Sequence, residues 1–283
     1  MIALDLTELD DLLIRYAHFL LDTIDDIEKI FFIHNIKFDT PDDAEVILKQ
    51  LDKPLGEIVA DSILEKVEAV FSEKESIYEV IVEENISTPA AIAEAAKLNQ
   101  VNWIIAGKKI SYRGSGLMLG KLLRISDLKA SLLLLPETAY PLINNILVPT
   151  DFSKMSKRAI ELGLLLSQKT NAEISCQHVV SFPSFYFPSL PKANWEPTLK
   201  NKAVSKWYKF QEGIPTKIDC EFTFNNDKSI AESIYNYTIQ NNKDLIIIGS
   251  KGKTGITSFV LGRVALQLMQ LDLHVPLLVV KGE

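Results

Sequence analysis

One stretch near the C-terminal end of the chain combines residue types that bind phosphate. Asp244 is followed by the aliphatic run 245–248 and the short loop 249–252, and helical spacing continues up to Gly262. An apolar run stopped by glycine is typical of a buried strand, and the turn after it presents backbone N–H groups to an anion. Glycine at Gly249 and Gly252 permits close approach to phosphate and a positive φ, so that N–H groups converge. Lys251 and Lys253 add positive charge. We predict a phosphate-binding turn here.

Two other phosphate-binding motifs share some of these residues but do not fit. Residues 252–254 imitate the end of a Walker A loop, which needs another glycine five positions before Gly252, where the chain has Ile247. The dinucleotide pattern G-x-G-x-x-G needs glycine two positions after Gly249, where the chain has Lys251. Both motifs are therefore set aside.

The chain consists of two copies of one unit, in register across the glycine loop. Residues 102–107 end an apolar run at Gly107, as residues 244–249 do 142 positions later. The same offset relates Ile110 to Gly252, Gly120 to Gly262 and Lys121 to Arg263. Earlier segments repeat with slightly different offsets: 2–5 with 146–151, 30–34 with 174–180, 77–82 with 218–224, and 92–96 with 234–237.

Each copy reads β-α-β-α-β-α-β-α-β, which requires parallel strands, right-handed crossovers and helices on both faces. We therefore predict an α/β protein with two Rossmann-like domains, each a five-stranded parallel sheet. The predicted domains span residues 1–138 and 144–283, because residues 136–145 contain two prolines and an Asn-Asn pair that break the periodicity. Ligands of such sheets bind beyond the carboxyl ends of the strands, where Asp151 and Gly249 fall.

The composition bounds the class of protein. With 283 residues, 47% of them hydrophobic, each domain can bury a core. A net charge of −7 gives no basic footprint for nucleic acid or an anionic membrane. Neither a membrane-spanning apolar run nor a secretory signal pattern is present, so we expect a cytoplasmic location. Cys176 and Cys220 lie in predicted strands without metal-like spacing, and we expect small apolar thiols there rather than a disulfide.

The glycine spacing resembles the ATP-binding signature of the universal stress protein (UspA-like) family. That signature is glycine, two residues, glycine, nine residues and glycine, followed by Ser or Thr, and here it falls on Gly249, Gly252 and Gly262. Residues 148–153, with Ala159 after them, resemble the first strand and turn of the family. The resemblance covers nearly the whole chain as a tandem pair and is strongest in the second half. It implies adenine-nucleotide alpha hydrolase-like domains.

The resemblance also implies roles for single residues. In ATP-binding members the residue matching Asp151 contacts the nucleoside, the one matching Val179 lies against the base, and the glycine loop wraps the phosphates. ATP, with Mg²⁺ accompanying it, is the implied ligand. Carried over by position, the nucleoside site is Pro149, Thr150, Asp151, Val179 and Ile248, and the phosphate site is Gly249, Ser250, Gly252 and Gly262, with Arg263 in place of the hydroxyl residue.

Two positions leave alternatives open. The carboxylate of Asp151 can accept hydrogen bonds from ribose hydroxyls or an adenine amino group, or it can cap the helix that begins near Met155. Arg263 brings a charged fork that can pair with phosphate or fill the pocket and exclude ATP.

The first half departs further from the family pattern. Ile110 adds a branched side chain where close approach is needed, and Ala3 and Leu4 replace proline and threonine. We expect no ATP site there, although the basic loop is compatible with weak anion binding. The basic residues are Lys108, Lys109, Arg113 and Lys121.

His34 and His178 occupy equivalent strand ends, which suggests a metal or catalytic pair. Each lies in an otherwise apolar strand, however, and we predict that each is bonded to a backbone carbonyl. Ser153 and Ser250 have no suitably spaced base, so no nucleophile-base pair is visible and we expect no enzyme, with slow ATP hydrolysis at most.

The expected function is that of a tandem universal stress protein which binds ATP or a related adenine nucleotide in its second half and acts as a stress-response sensor or regulator. One chain would form an intramolecular pseudo-dimer through its last strands, residues 132–135 and 277–280, with further surfaces available for a homodimer. The alternative is a scaffold that has lost nucleotide binding and acts through protein contacts, for example through the aromatic insert 181–199.

Overall fold

A computed structural model describes most of the chain. The described residues are 1–37, 51–72, 77–110, 114–125, 128–181, 195–225, 228–252 and 261–281, with the backbone alone for 114–118. The chain divides into two compact units, Met1–Pro141 (unit 1) and Leu142–Glu283 (unit 2). Residues 182–194 of the predicted aromatic insert and Lys253 lie outside the described residues, so their predicted roles stay predictions.

Unit 1 is a five-stranded parallel sheet with the strand order β3-β2-β1-β4-β5. Its helices bury one face each, as the spacing of Leu13, Tyr16, Ala17 and Leu20 in the first helix shows. In chain order the elements are β1 (Ile2–Ala3), α1 (Leu9–Thr23), β2 (Ile30–Ile36), α2 (Leu55–Phe71), β3 (Tyr78–Glu84), α3 (Thr88–Leu98), β4 (Trp103–Lys108), α4 (Gly114–Arg124) and β5 (Ser131–Pro136).

Unit 2 repeats this arrangement with the strand order β8-β7-β6-β9-β10, again parallel throughout. Its central strands are continuous apolar runs because both faces of a parallel sheet are covered. The elements are β6 (Asn145–Pro149), α5 (Lys154–Thr170), β7 (Glu173–Val180), α6 (Glu196–Gln211), β8 (Cys220–Phe224), α7 (Ile230–Gln240), β9 (Leu245–Gly249), α8 (Arg263–Gln270) and β10 (Leu277–Val280).

In each unit the chain first adds strands on one side of its first strand and then adds strands on the other side. In unit 1 the chain moves outward from β1 to β3 and then returns to β4 beside β1. Right-handed connections therefore place α1 and α2 on one face and α3 and α4 on the other, and the contacts of α1 with α2 and of α3 with α4 agree. The predicted α/β fold of two five-stranded parallel sheets is confirmed. The reversal sets the carboxyl ends of β6, β7 and β9 side by side in unit 2.

One helix boundary differs from the prediction. The helical spacing was expected to run up to Gly262, but Gly262 is the N-cap of α8, which begins at Arg263. The glycine precedes the helix because its extended backbone, φ −60° and ψ 135°, ends the loop. Residues 253–260 lie outside the described part of the chain.

The two cysteines are free thiols on neighbouring strands. Cys176 of β7 pairs in register with Cys220 of β8. Burial raises the pKa of Cys220 to about 12 and also raises the pKa of Cys176, so both thiols stay protonated at neutral pH. Among the described residues, no helix is long and apolar enough to cross a membrane.

Candidate functional site

The turn that follows β6 is a compact, fully bonded structure. The N–H of Thr150 donates to the carbonyl of Gln177 at 2.8 Å and thereby extends the ladder with β7. Phe152 has a left-handed backbone with φ 63°, and its N–H donates to Thr150 Oγ1 at 3.1 Å. Ser153 then caps α5 through a reciprocal capping box with Ser156. The turn therefore fixes the direction in which Asp151 points.

Asp151 supports this turn without being the helix cap. Its Oδ1 accepts a hydrogen bond from the N–H of Ser153 at 3.0 Å, and the hydroxyl of Ser156 lies 3.2 Å from the same oxygen. The N-cap residue of α5 is Ser153, so the alternative that Asp151 caps this helix is wrong. The other oxygen, Oδ2, points at the glycine loop: a Cβ built on Gly252 would lie 2.8 Å from it.

The glycines of the loop are explained by the close approach of neighbouring segments to their Cα atoms and not by a left-handed backbone. No described glycine has a positive φ, so the predicted positive-φ arrangement is not found at Gly249, Gly252 or Gly262. Instead, a Cβ on Gly249 would lie 2.8–3.0 Å from the Cβ and backbone of Met155 in the first turn of α5. A Cβ on Gly262 would lie 3.1 Å from the carbonyl oxygen of Ser250. Any larger side chain would push these segments apart.

Some of the N–H groups assigned to phosphate are already used inside the unit. The N–H of Ser250 donates to the carbonyl of Val280 at 2.8 Å, and the N–H of Gly262 donates to the carbonyl of Ser250 at 2.7 Å. These two bonds close the loop and join it to β10. A phosphate would therefore have to be held by other groups of the same loop.

Three other groups at this edge of unit 2 can donate hydrogen bonds to a phosphate. The hydroxyl of Ser250 is buried, with the residue 3% exposed, and makes no hydrogen bond to the described residues. The first turn of α8 has no side-chain cap, which leaves its N–H groups to attract negative charge. Arg263, the first residue of α8, is exposed and forms no ion pair within the described ranges. A buried hydroxyl, a helix N-terminus and a guanidinium are all donors to phosphate.

The predicted nucleoside residues lie at the ends of three adjacent strands. Pro149 ends β6, Val179 lies near the end of β7, and Ile248 precedes the last residue of β9. All three are buried apolar residues, with Val179 9% and Ile248 7% exposed. The structure thus brings all ten predicted site residues to the carboxyl edge of β6, β7 and β9.

Both histidines are structural, as predicted from the sequence. Nδ1 of His178 lies 2.8 Å from the carbonyl oxygen of Thr150, and Nδ1 of His34 lies 3.0 Å from that of Leu4. A carbonyl only accepts, so Nδ1 carries the proton in each case. His178 also stacks on Phe152 with the ring centroids 4.3 Å apart. The histidine therefore holds the carbonyl that begins the turn and the ring of the left-handed residue within it.

Sequence reasoning missed Ser156 and Phe152. Ser156 contacts three residues of the turn, namely Thr150, Asp151 and Ser153. The spacing Ser-x-x-Ser before an apolar run was a usable signal, because a polar residue three positions after an N-cap serine is the mark of a capping box. The left-handed backbone of Phe152 carries no such signal, since aromatic residues rarely adopt it.

The equivalent turn of unit 1 keeps the backbone and changes the polar groups. Leu6, equivalent to Phe152, has φ 61°. Asp10 takes the place of Ser156 and accepts from the N–H groups of Asp5 and Leu6 at 3.0 and 2.9 Å. Burial raises the pKa of Asp10. Lys108, the last residue of β4, occupies the position equivalent to Ser250 and is 1% exposed.

A separate open cavity of about 640 Å³ lies in unit 1, between the start of α1 and the segment after β5. Its charged lining is balanced, with Glu8 and Glu137 against Arg15 and Lys109, so it offers no preference for an anion. Groups of three or more acidic, His or Cys side chains that could hold a metal ion do not occur among the described residues.

The net charge of the two units differs in sign. Unit 2 contains 16 lysines and arginines against 12 aspartates and glutamates, whereas unit 1 contains 14 against 25. A positive unit attracts phosphate from solution and a strongly negative one repels it. The charge distribution agrees with an anion site in unit 2.

Known proteins resemble this chain in sequence and in fold. The model of the universal stress protein family matches residues 143–281, nearly all of unit 2. A universal stress protein of Methanocaldococcus jannaschii is 31% identical over 147 residues, which are 50% of this chain and 83% of that protein. Universal stress protein YxiE of Bacillus subtilis is 27% identical over 150 residues, 50% of this chain and all of that protein.

Among solved structures, a universal stress protein from Archaeoglobus fulgidus matches with a TM-score of 0.66 and 20% identity, over 99% of this chain and 97% of that one. At this identity the likeness concerns the fold, and it extends over both units. The sequence relative from M. jannaschii, most of whose length is matched, carries the assignment. The chain belongs to the universal stress protein family.

Proposed function

We propose that unit 2 binds ATP or a related adenine nucleotide and that the protein acts as a nucleotide-dependent regulator of the stress response. The observation that carries the proposal is the meeting of Asp151 with Gly252. The carboxylate end of the β6 turn and the loop after β9 approach so closely that a Cβ on the glycine would lie 2.8 Å from Asp151 Oδ2. This contact joins a hydrogen-bond acceptor suited to a ribose to a loop suited to phosphate.

The nucleoside half of the proposed site combines acceptors with an apolar wall. A carboxylate such as Asp151 accepts hydrogen bonds from ribose hydroxyls. Buried apolar residues at the strand ends, Pro149, Val179 and Ile248, suit the faces of a base. Thr150 contributes through its backbone and through the bond of its hydroxyl to the turn.

The phosphate half is proposed to use groups for which the described residues show no hydrogen-bond partner. These are the buried hydroxyl of Ser250, the backbone at Gly252 and the uncapped first turn of α8. Arg263 is exposed at the start of that helix, so its fork can turn toward a phosphate instead of filling the loop. Gly249 and Gly262 keep the neighbouring backbones close enough for these groups to converge.

Magnesium would arrive with the triphosphate. Mg²⁺ keeps several waters and is usually bound by phosphate oxygens together with one or two carboxylates. Asp151 is a carboxylate at this edge, which fits such a shared ion. Its proposed role is to hold the ion and the ribose in place.

Titration calorimetry with ATP on the full chain and on Gly252→Glu tests the proposal. The glutamate would meet Asp151 and repel phosphate, so we expect binding to weaken at least about 100-fold, about 2.7 kcal/mol. Gly213→Glu is the matched control, because Gly213 is an exposed glycine of unit 2 whose added side chain would meet Lys157 rather than Asp151. It should leave the affinity unchanged.

The possible outcomes separate the rival functions. Equal affinities in wild type and Gly252→Glu would show that the site is wrongly placed. An absence of binding by the wild-type chain, with no nucleotide carried through purification, would favour the scaffold that acts through protein contacts. A strongly reduced affinity for Gly252→Glu alone would support the nucleotide site.

A further inference from the structure

Two helices in equivalent positions expose opposite charges. α2 connects β2 to β3 in unit 1, and α6 connects β7 to β8 in unit 2. Each buries a narrow apolar face against its own sheet: Val59, Ile63, Val67 and Phe71 on α2, and Ala203 and Trp207 on α6. The rest of each helix faces solvent and is free to take other residue types.

The exposed face of α6 has a stripe of lysines. Lys202, Lys206 and Lys209 follow each other at spacings of four and three residues, which places them on one side of the helix. All three are exposed, and none forms an ion pair within the described ranges. Like charges at this spacing repel each other, so the stripe weakens the helix that carries it. We call these residues the lysine stripe.

The exposed face of α2 has a matching acidic stripe, formed by Glu57, Asp61, Glu65 and Glu68. The spacings are four, four and three residues, and all four side chains are exposed. Asp61 lies 3.3 Å from Lys53, whereas the three glutamates form no ion pair with described residues. These four residues are the acidic stripe.

Each stripe has an exposed apolar side chain beside it. Ile58 of α2 is 37% exposed and Tyr208 of α6 is 64% exposed. Protein interfaces are enriched in aromatic residues with polar groups around them, and tyrosine is common at their centres. The two faces therefore offer apolar contact as well as complementary charge.

We propose that the lysine stripe of one copy of the chain docks on the acidic stripe of a second copy. Surfaces of opposite charge attract, and charge complementarity also fixes the register of docking. The occupant is a second copy because the chain itself carries the matching surface. Such a contact joins two different surfaces, so each docked pair retains one free lysine stripe and one free acidic stripe. The assembly therefore closes, as a reciprocal dimer or a larger ring, or continues to grow.

Sedimentation of the full chain at two salt concentrations is the first test. Exposed charges are screened over about 20 Å at about 20 mM NaCl and over about 4 Å at about 500 mM NaCl. We expect the mean mass to rise with protein concentration at low salt and to return at high salt to its dilute value. A mass that does not change with salt would overturn the proposal.

Charge reversal on each stripe provides the decisive test. The first variant, K202E/K206E/K209E, makes both stripes acidic, and the second, D61K/E65K/E68K, makes both basic. We expect neither variant to self-associate alone and the equimolar mixture to associate, because each stripe then meets its opposite on the other chain. If the wild type associates and the mixture does not, a different surface is responsible and the proposal fails.

A matched control separates the stripe from net charge. The exposed lysines Lys200, Lys217 and Lys228 lie outside the lysine stripe, and K200E/K217E/K228E changes the net charge by the same amount as reversal of the stripe. We expect this control to self-associate like the wild type. Loss of association in the control would show that total charge decides and would overturn the assignment to α6. Thermal unfolding of each variant confirms that the chain is folded.

Discussion

The first turn of unit 1 and the first turn of unit 2 share a backbone and differ in chemistry. Both place a left-handed non-glycine residue after the first strand, Leu6 and Phe152, and both bond a histidine Nδ1–H to the carbonyl two positions earlier. Both also contain an aspartate, Asp5 or Asp151, that accepts from the N–H two residues on. These shared features are what the fold requires of the turn.

The differences concern the residues that would touch a ligand. Unit 2 has Ser156, which bonds to the turn without charge, and Ser250, a small hydroxyl with no described partner. Unit 1 has Asp10, a buried carboxyl, and Lys108, a long side chain that is almost wholly buried. The comparison indicates that the fold requires the turn in both units, whereas only unit 2 has small uncharged hydroxyl side chains at these two positions.

The largest expected effect is on stability, at the equivalent glycines Gly249 and Gly107 near the carboxyl end of the fourth strand of each unit. Gly249→Ala would place a Cβ 2.8–3.0 Å from the Cβ and backbone of Met155. Gly107→Ala would instead overlap Cδ2 and Cγ of Leu9, which are side-chain atoms that a change of rotamer can move. We expect a loss of about 3 kcal/mol for the former and about 1 kcal/mol for the latter. Urea unfolding followed by tryptophan fluorescence measures both. Equal losses would contradict the difference between the units.

Exchanging one residue between the units should weaken the proposed nucleotide binding. Ser250→Lys gives unit 2 the residue that unit 1 has at Lys108 and fills a space now occupied by a small hydroxyl. We expect ATP affinity to fall about 30-fold, about 2 kcal/mol. Ser205→Lys, at an exposed position of α6, is the control and should bind like the wild type. Unchanged binding by Ser250→Lys would show that this position does not matter for the phosphates.

Substitution of either histidine should lower the stability by a similar amount, but only one of the substitutions should affect nucleotide binding. Phenylalanine can stack as His178 does but cannot donate to the carbonyl of Thr150. We expect His178→Phe and the equivalent His34→Phe each to lose about 1 kcal/mol of unfolding free energy, the value of one hydrogen bond. Calorimetry should show weaker ATP binding for the former alone. The same reduction in both variants would mean that the units do not differ as described.

The smallest expected effect concerns pH. Burial raises the pKa of Asp10, so the folded chain holds this proton more tightly than the unfolded chain. The contribution of Asp10 to the free energy of unfolding is fully present below its ordinary pKa, about 3.9. This contribution is lost as the pH rises through the raised pKa of the folded chain. Asp10→Ser, which copies Ser156, removes this dependence. We expect this difference to be the smallest of the effects, because it comes from a single titrating group.

Chemical denaturation of wild type and Asp10→Ser at several pH values between about 3.5 and 7 measures the effect. The wild type should lose stability relative to the variant as the pH rises. A difference that is constant over this range would mean that Asp10 titrates normally in the folded chain.

The fold could be predicted from the sequence because two patterns, the alternation of strand and helix segments and the internal duplication, extend over most of the chain. Ten apolar runs alternate with amphipathic segments, and the duplication gives each element a second, independent reading. The same repetition identified His34 and His178 as equivalent, and their apolar neighbours indicated a structural role, which the bonds to Leu4 and Thr150 confirm.

The detail of the site could not be predicted in the same way. Whether the N–H of Ser250 points into the loop or toward Val280 depends on the register of β10, which lies thirty residues further along the chain. The role of Gly249 depends on how closely α5 crosses β9, and glycine spacing alone cannot distinguish this contact from a phosphate contact. Burial of Lys108 was also invisible, since lysine is rarely buried.

The left-handed residue Phe152 has a consequence for any molecule that binds beside it. A non-glycine residue in this conformation costs about 1–2 kcal/mol. Here the N–H of Phe152 donates to Thr150 Oγ1, Nδ1 of His178 donates to the carbonyl of Thr150, and the ring of Phe152 stacks on His178, so contacts within unit 2 offset this cost. Under the proposed function, nucleotide binding would not have to order this part of the main chain, so more of the free energy of contact would be retained as affinity.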